Sequence, residues 1–244
     1  MSALHTTPRT SADVHELHTP LGEVSLHIPT DWFDLLVDGA GEGRVAVRVE
    51  QLVAMAYADR RPEIQAAVAG TFHAARRLFS GSGSLVGCGS LVSCGLITLE
   101  TVEEDGSVIW QVCAGVVDAS PVGSDSHAGD VLARHLGAEL DGQEVYAESF
   151  PAAMGSGVGL VSQPGVRASG EVDTFPEPDA AADDRYVTRL GMAAALARPT
   201  DGGPGLLVVG HSFNPEQVAS LASLVALICG KSTVREVGGA VVRG

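Results

Sequence analysis

Two rhythms of apolar and polar positions run through the chain. One is the run-and-turn pattern of β-hairpins. "SLVGCGSLVSCGLITLETVE" and "SVIWQVCAGVVDA" are two apolar runs separated by Asp105-Gly106, a dipeptide suited to a two-residue hairpin turn. That turn predicts Glu104 opposite Ser107, Thr98 opposite Cys113 and Glu100 opposite Gln111. It directs Leu91, Ile97 and Leu99 to one face and Val92, Leu96 and Thr98 to the other. Apolar residues on both faces predict a central strand covered on both sides. "QEVYAESF" with "GVGLVSQP" forms a second strand pair, and "RYVTRLGMAAALARP" with "GLLVVGHSF" forms a hairpin around "TDGGP".

The other rhythm is helical. Ile64, Val68, Phe72 and Ala75 recur at three- to four-residue spacing within a segment from about 45 to 79, which Pro62 divides. "SDSHAGDVLARHLGAEL" predicts a short helix. Val218, Leu221, Ala222, Val225 and Ile228 form one apolar stripe behind Asn214-Pro215, an N-cap followed by a proline suited to the first helical position. Gln217 is placed to close a capping box, and Gly230 to end the helix as a C-terminal cap.

These elements predict an α+β fold: a mainly antiparallel sheet of hairpins with helices packed on it, as an α/β/α sandwich. Residues 1–19 read as a flexible tail and 20–244 as a single domain, opened by a strand that ends at Pro29. Trp32 and Phe33 follow the next turn, where two roles are open, core anchors or an exposed contact patch; the scarcity of aromatics favours the core. A hairpin followed by a helix occurs at about 84–137 and again at 186–229, the order an internal duplication would leave. Residues 168–184 hold six acids, two prolines and no base, the composition of a solvated loop.

Composition narrows the partners. With 45% hydrophobic residues the chain can bury a sizeable core, although aromatics are only 5%. The net charge of −15 repels phosphate backbones and anionic membrane surfaces, so no nucleic-acid partner is expected. Lys231 is the only lysine, which together with abundant Ala and Gly points to a high-GC bacterial genome. No apolar run is long enough for a membrane span, and the first twenty residues lack a signal-peptide core, so a cytoplasmic protein without membrane insertion is expected, its four cysteines reduced.

Several motifs mimic active sites. Gly210-His211-Ser212 matches the start of the hydrolase elbow G-x-S-x-G, but position 214 is Asn and the next residue is Pro215. No histidine follows His211 and no aspartate follows Ser212, so the rest of a triad has no place downstream. Gly230-Lys231-Ser232 matches the end of a P-loop, but position 225 is Val and the motif ends a helix where phosphate needs the start of one. "HELH" at 15–18 has one residue too few for the zinc-protease spacing. Asp125, His127 and Asp130, with His135 beyond, could ligate a hard metal but are better explained as a polar helix start. Cys88, Cys94 and Cys113 are expected on one sheet face as small buried thiols, not as zinc ligands. No catalytic, metal or cofactor-binding residue is therefore assigned.

The opening strand with its "IPTDWF" turn, the antiparallel meander and the closing "GLLVVGHSFNPEQVASLASLVALICGKSTV" together resemble the PsbP-like α/β/α sandwich proteins. The resemblance is topological, spans most of residues 21–237 and rests on no specific motif. The glycine-rich cysteine strands and the long acidic loop depart from it. It implies a binding or assembly factor without catalytic residues. The leading expectation is a non-enzymatic interaction or accessory protein that binds a protein partner or itself. The alternatives are a serine hydrolase using Ser212 and a structural subunit of a larger homo-oligomer.

Overall fold

The computed structural model describes residues 12–29, 32–34, 89–99, 108–119, 128–130, 132, 146–163, 165–167, 172–173, 186–212 and 214–236, with isolated helical positions at 47, 51, 62 and 70. Apart from those four positions, the helical segment expected around 45–79 lies outside the described residues, as do Cys88, the Asp105-Gly106 turn, Asp125, His127, His135 and most of the acidic loop.

Among the described residues, antiparallel strands dominate. β1 (Ala12–Thr19) and β2 (Gly22–Pro29) form a hairpin, to which a last short strand, β13 (Thr233–Arg235), adds on the far side of β2. The main sheet has seven strands in the order β3-β4-β5-β12-β11-β7-β6. These are β3 (Trp32–Asp34), β4 (Gly89–Leu99), β5 (Val108–Asp118), β6 (Tyr146–Ala152), β7 (Gly155–Ser162), β11 (Gly191–Arg198) and β12 (Pro204–Ser212). A third small sheet joins β8 (Gly165–Arg167), β9 (Val172–Asp173) and β10 (Tyr186–Arg189), so β9 falls within the stretch expected to be loop. One long helix, α1 (Val218–Lys231), follows β12 through a 3-10 turn at Pro215–Gln217.

The expected hairpins β6–β7 and β11–β12 form as the apolar runs require. The strand pair β4–β5 forms too, but its register differs from the expected one. Cys94, not Thr98, stands opposite Cys113, and Leu96, not Glu100, stands opposite Gln111. A bulge between Leu91 and Ser93 then breaks the alternation. Leu91 falls opposite Gly115 and Ile97 opposite Trp110, positions on opposite faces of β5, so these two residues do not share a face. Residues 12–19 are not tail but strand β1, held by eight register pairs with β2.

Leu221, Val225, Ile228 and Cys229 of α1 are buried against Val112, Ala114, Ala195, Leu206 and Val208 of the sheet and against Val24, Leu26 and Val234 of the small sheet. Leu221, Val225 and Ile228 belong to the stripe the sequence pattern marks, whereas its Val218 and Ala222 are only half-buried. Neighbouring glycines let the layers approach. A Cβ on Gly210 would lie 2.9 Å from both Leu221 Cδ1 and Val225 Cγ2. Gly157 lies under the ring of Phe150, its cross-strand partner. On the opposite face of the sheet, buried Ala128 packs with Val158.

Candidate functional site

The junction between β12 and α1 carries the elbow-like motif, and its geometry is that of a sealed structural joint. β12 runs antiparallel to both of its neighbours, β5 and β11, so the parallel sheet of a hydrolase elbow is missing here. Ser212 is fully buried. Its hydroxyl has two acceptors in reach, the Asn214 carbonyl at 2.9 Å and Gln217 Oε1 at 3.0 Å, and it accepts from the Asn214 N–H at 3.2 Å. Asn214 caps the 3-10 turn by accepting the Glu216 N–H at 3.0 Å, and Pro215 takes the first helical position as expected. Gln217 does not close a capping box. Its Oε1 instead accepts from Trp110 Nε1 at 2.9 Å, tying helix start, strand end and indole together.

Alternation along β12 sends His211 to the face opposite Ser212. There it is buried, flanked in register by Gln111 and Met192, with Nδ1 lacking a hydrogen-bond partner. Burial lowers its pKa from 6.5 to about 4, so it is neutral at physiological pH. Serine and histidine therefore stand on opposite sides of one sheet and form no dyad.

This arrangement yields a stability prediction. Gln217→Leu leaves the Trp110 N–H without its acceptor, while the Ser212 hydroxyl keeps the Asn214 carbonyl, and is expected to cost about 1–2 kcal/mol. Urea denaturation measures the loss, and a shift of the indole emission should accompany it.

The P-loop-like residues are equally occupied. Gly230 lies inside the last turn of α1 and is not a left-handed cap; the helix ends at Ser232 in extended conformation. A Cβ on Gly230 would sit 3.4 Å from the Phe150 ring, and the Gly230 carbonyl accepts the Ala153 N–H at 2.7 Å. The Ser232 hydroxyl donates to the Ile228 carbonyl at 2.6 Å and accepts the His27 N–H at 3.0 Å. No donor array for phosphate remains in these residues.

In "HELH", residues 15 and 18 are separated by three positions on a strand, so their side chains leave opposite faces. His18 pairs with Glu23 at 3.6 Å, and Glu16 accepts from the Ser25 hydroxyl at 2.9 Å. Asp130 is exposed on its helical turn, and no group of three His, Cys, Asp or Glu able to hold a metal occurs among the described residues. Cys94 and Cys113 are buried cysteines outside any disulfide that oppose one another in register, on a shared face as expected. Cys229 is buried as well; burial pushes its thiol pKa up, and its S–H donates to the Leu206 carbonyl at 3.4 Å. That is the setting of an inert thiol. The side chains of Trp32 and Phe33 lie outside the described features, although their backbone forms β3.

The surface beside α1 is concave. A groove of about 460 Å³ runs between α1 and strands β6–β7. Val218, Ala222 and Ala226 form the helical wall, and Glu148 and Phe150 line the other side. Gly159 and Ala195 line the groove on the sheet. Small residues from three elements, α1, β7 and β11, line it. No single segment of sequence signals it.

No protein-family model matches the chain, and no curated protein sequence matches it. Among the described residues, no helix is long and apolar enough to cross a membrane.

Proposed function

We propose that this chain is a non-enzymatic interaction or accessory protein, with the groove between α1 and β6–β7 as its contact surface. The observation that carries the reading is the contrast between its two prominent features. The apparent nucleophile Ser212 is buried and hydrogen-bonded within a joint, whereas the open concavity is apolar and lined mainly by small residues. The fold is read as an α/β/α sandwich, with α1 and the β1–β2–β13 sheet on one face and the helical residues around Ala128 on the other. The topological resemblance to PsbP-like proteins favours the same role, although fold alone does not define function. A net charge of −15 favours a neutral or basic protein partner in the cytoplasm over nucleic acid.

Ala222→Trp fills the groove from the helix side, where Ala222 is half-buried. The variant is expected to keep the thermal midpoint within a few degrees while losing at least tenfold in affinity for a partner identified with the wild-type protein by cross-linking and mass spectrometry. Equal affinity would reject the groove as the contact surface. Labelling of Ser212 in the folded protein by an activated fluorophosphonate would overturn the non-enzymatic reading in favour of a hydrolase.

A second reading, a subunit that assembles with copies of itself, is favoured by the outer edge of β1. Among the described residues, no strand pairs with it.

A further inference from the structure

We propose that the β1 edge is a self-pairing interface, on which a second copy of this chain docks its own β1 antiparallel and centred on Leu17. The inference rests on the self-association reading and is independent of the groove.

The direction of the backbone groups comes first. The His27 N–H reaches Ser232 Oγ on the β13 side. Odd-numbered residues of β2 therefore bond toward β13, and even-numbered ones toward β1. The register sets Leu17 opposite Val24 and His15 opposite Leu26. In β1, odd-numbered residues thus bond inward to β2, while Val14, Glu16 and His18 turn their N–H and C=O groups outward. The strand contains no proline, lysine or arginine, the usual devices that block an edge. Its outer face is open: Val14 is 49% exposed and the His18 side chain 80%.

Symmetry then selects the register. A two-fold axis normal to the sheet keeps every side chain on its own face, so opposed residues must share a face. Centring on Glu16 sets that carboxylate against its own copy. Centring on His15 sets Glu16 against Val14, and centring on Val14 sets it against Ala12 and leaves Leu17 unopposed. Centring on Leu17 sets Glu16 opposite the second copy's His18, twice, through outward-directed backbone groups. Leu17, which packs against the core of its own chain, then meets Leu17 of the second copy and continues that apolar surface. On the outer face, one row would read Arg235, Glu23, His18 and the second copy's Glu16, each carboxylate beside a side chain that can donate a hydrogen bond; the first three are already aligned by register. The strand is short, so the dimer belongs to the weak class.

Sedimentation velocity of the full chain at fixed salt and neutral pH, from about 5 to about 500 µM, tests this. The wild type is expected to move from monomer to dimer across the range. Glu16→Pro removes an outward N–H that β2 does not use, so it should leave the monomer folded by circular dichroism and weaken dimerisation at least tenfold. Glu16→Lys should weaken it similarly, and Glu16→Lys with His18→Glu should restore it, because the introduced ammonium and carboxylate then oppose one another. A wild type that stays monomeric throughout overturns the proposal. So does a dimer unaffected by Glu16→Pro, or one that the exchanged pair fails to restore.

Discussion

Gly210→Val is expected to lower the unfolding free energy by about 3 kcal/mol, although valine is a better strand former than glycine. The cause is steric. Gly210 faces α1, and a Cβ there would stand 2.9 Å from Leu221 Cδ1 and from Val225 Cγ2. Comfortable carbon–carbon contacts lie near 3.5–4.0 Å. Neither neighbour can withdraw easily, since Leu221 and Val225 are themselves buried in the cluster that includes Val24, Leu26 and Val208. The helix must lift from the sheet or the rotamers must leave their wells. A double-mutant cycle separates this collision from any strand effect. Leu221→Ala alone should cost about 2–5 kcal/mol by leaving a cavity. Combined with Gly210→Val, it should cost at least about 1 kcal/mol less than the sum, because the valine then has room. Guanidinium denaturation of the four proteins gives the answer. A Gly210→Val protein within about 1 kcal/mol of wild type would show that the helix–sheet spacing is not set here.

The same glycine illustrates what the sequence conveys and what it conceals. A hydrolase elbow and this joint both require a small residue where a helix crosses close to the end of a strand, so Gly-x-Ser appears in both. The sequence distinguishes them through context, by Asn214-Pro215 and by the missing downstream histidine. Hairpins and α1 were legible because their apolar periodicity is set by burial on faces that the sheet and helix define. Register was not, because β4 carries apolar residues on both faces and pattern alone cannot penalise a slip of an even number of positions. The bulge at Leu91–Ser93 leaves no compositional mark. β1 was read as tail because an edge strand with an exposed outer face needs only Leu17 as an apolar anchor, and "HELH" looks like solvated chain. Gly230 suggested a cap, yet it serves the flat approach of Phe150 from β6, a contact between residues eighty positions apart. The groove was invisible for the same reason: it is defined by side chains missing from α1, β7 and β11 together.

Acidification from pH 7 to 4 is expected to remove about 3 kcal/mol of stability through His211 alone. In the folded chain its pKa is held at about 4 by burial, against 6.5 for an exposed imidazole. Above pH 6.5 the residue is neutral in both states and contributes no pH dependence. Between 6.5 and about 4 the unfolded chain takes up a proton that the folded chain refuses, so the unfolded state gains and stability falls. Below about 4 both states are protonated and the loss levels off. Carboxylates titrate over part of this range as well, so the histidine's share is read as a difference. His211→Gln keeps a polar side chain beside Gln111 and Met192 but cannot be charged. Urea denaturation of both proteins at half-unit pH steps should show curves that run parallel above pH 6.5 and converge by about 3 kcal/mol toward pH 4. Parallel curves throughout would mean that solvent reaches His211 in the native state, and the sheet face that holds it would then be open to water.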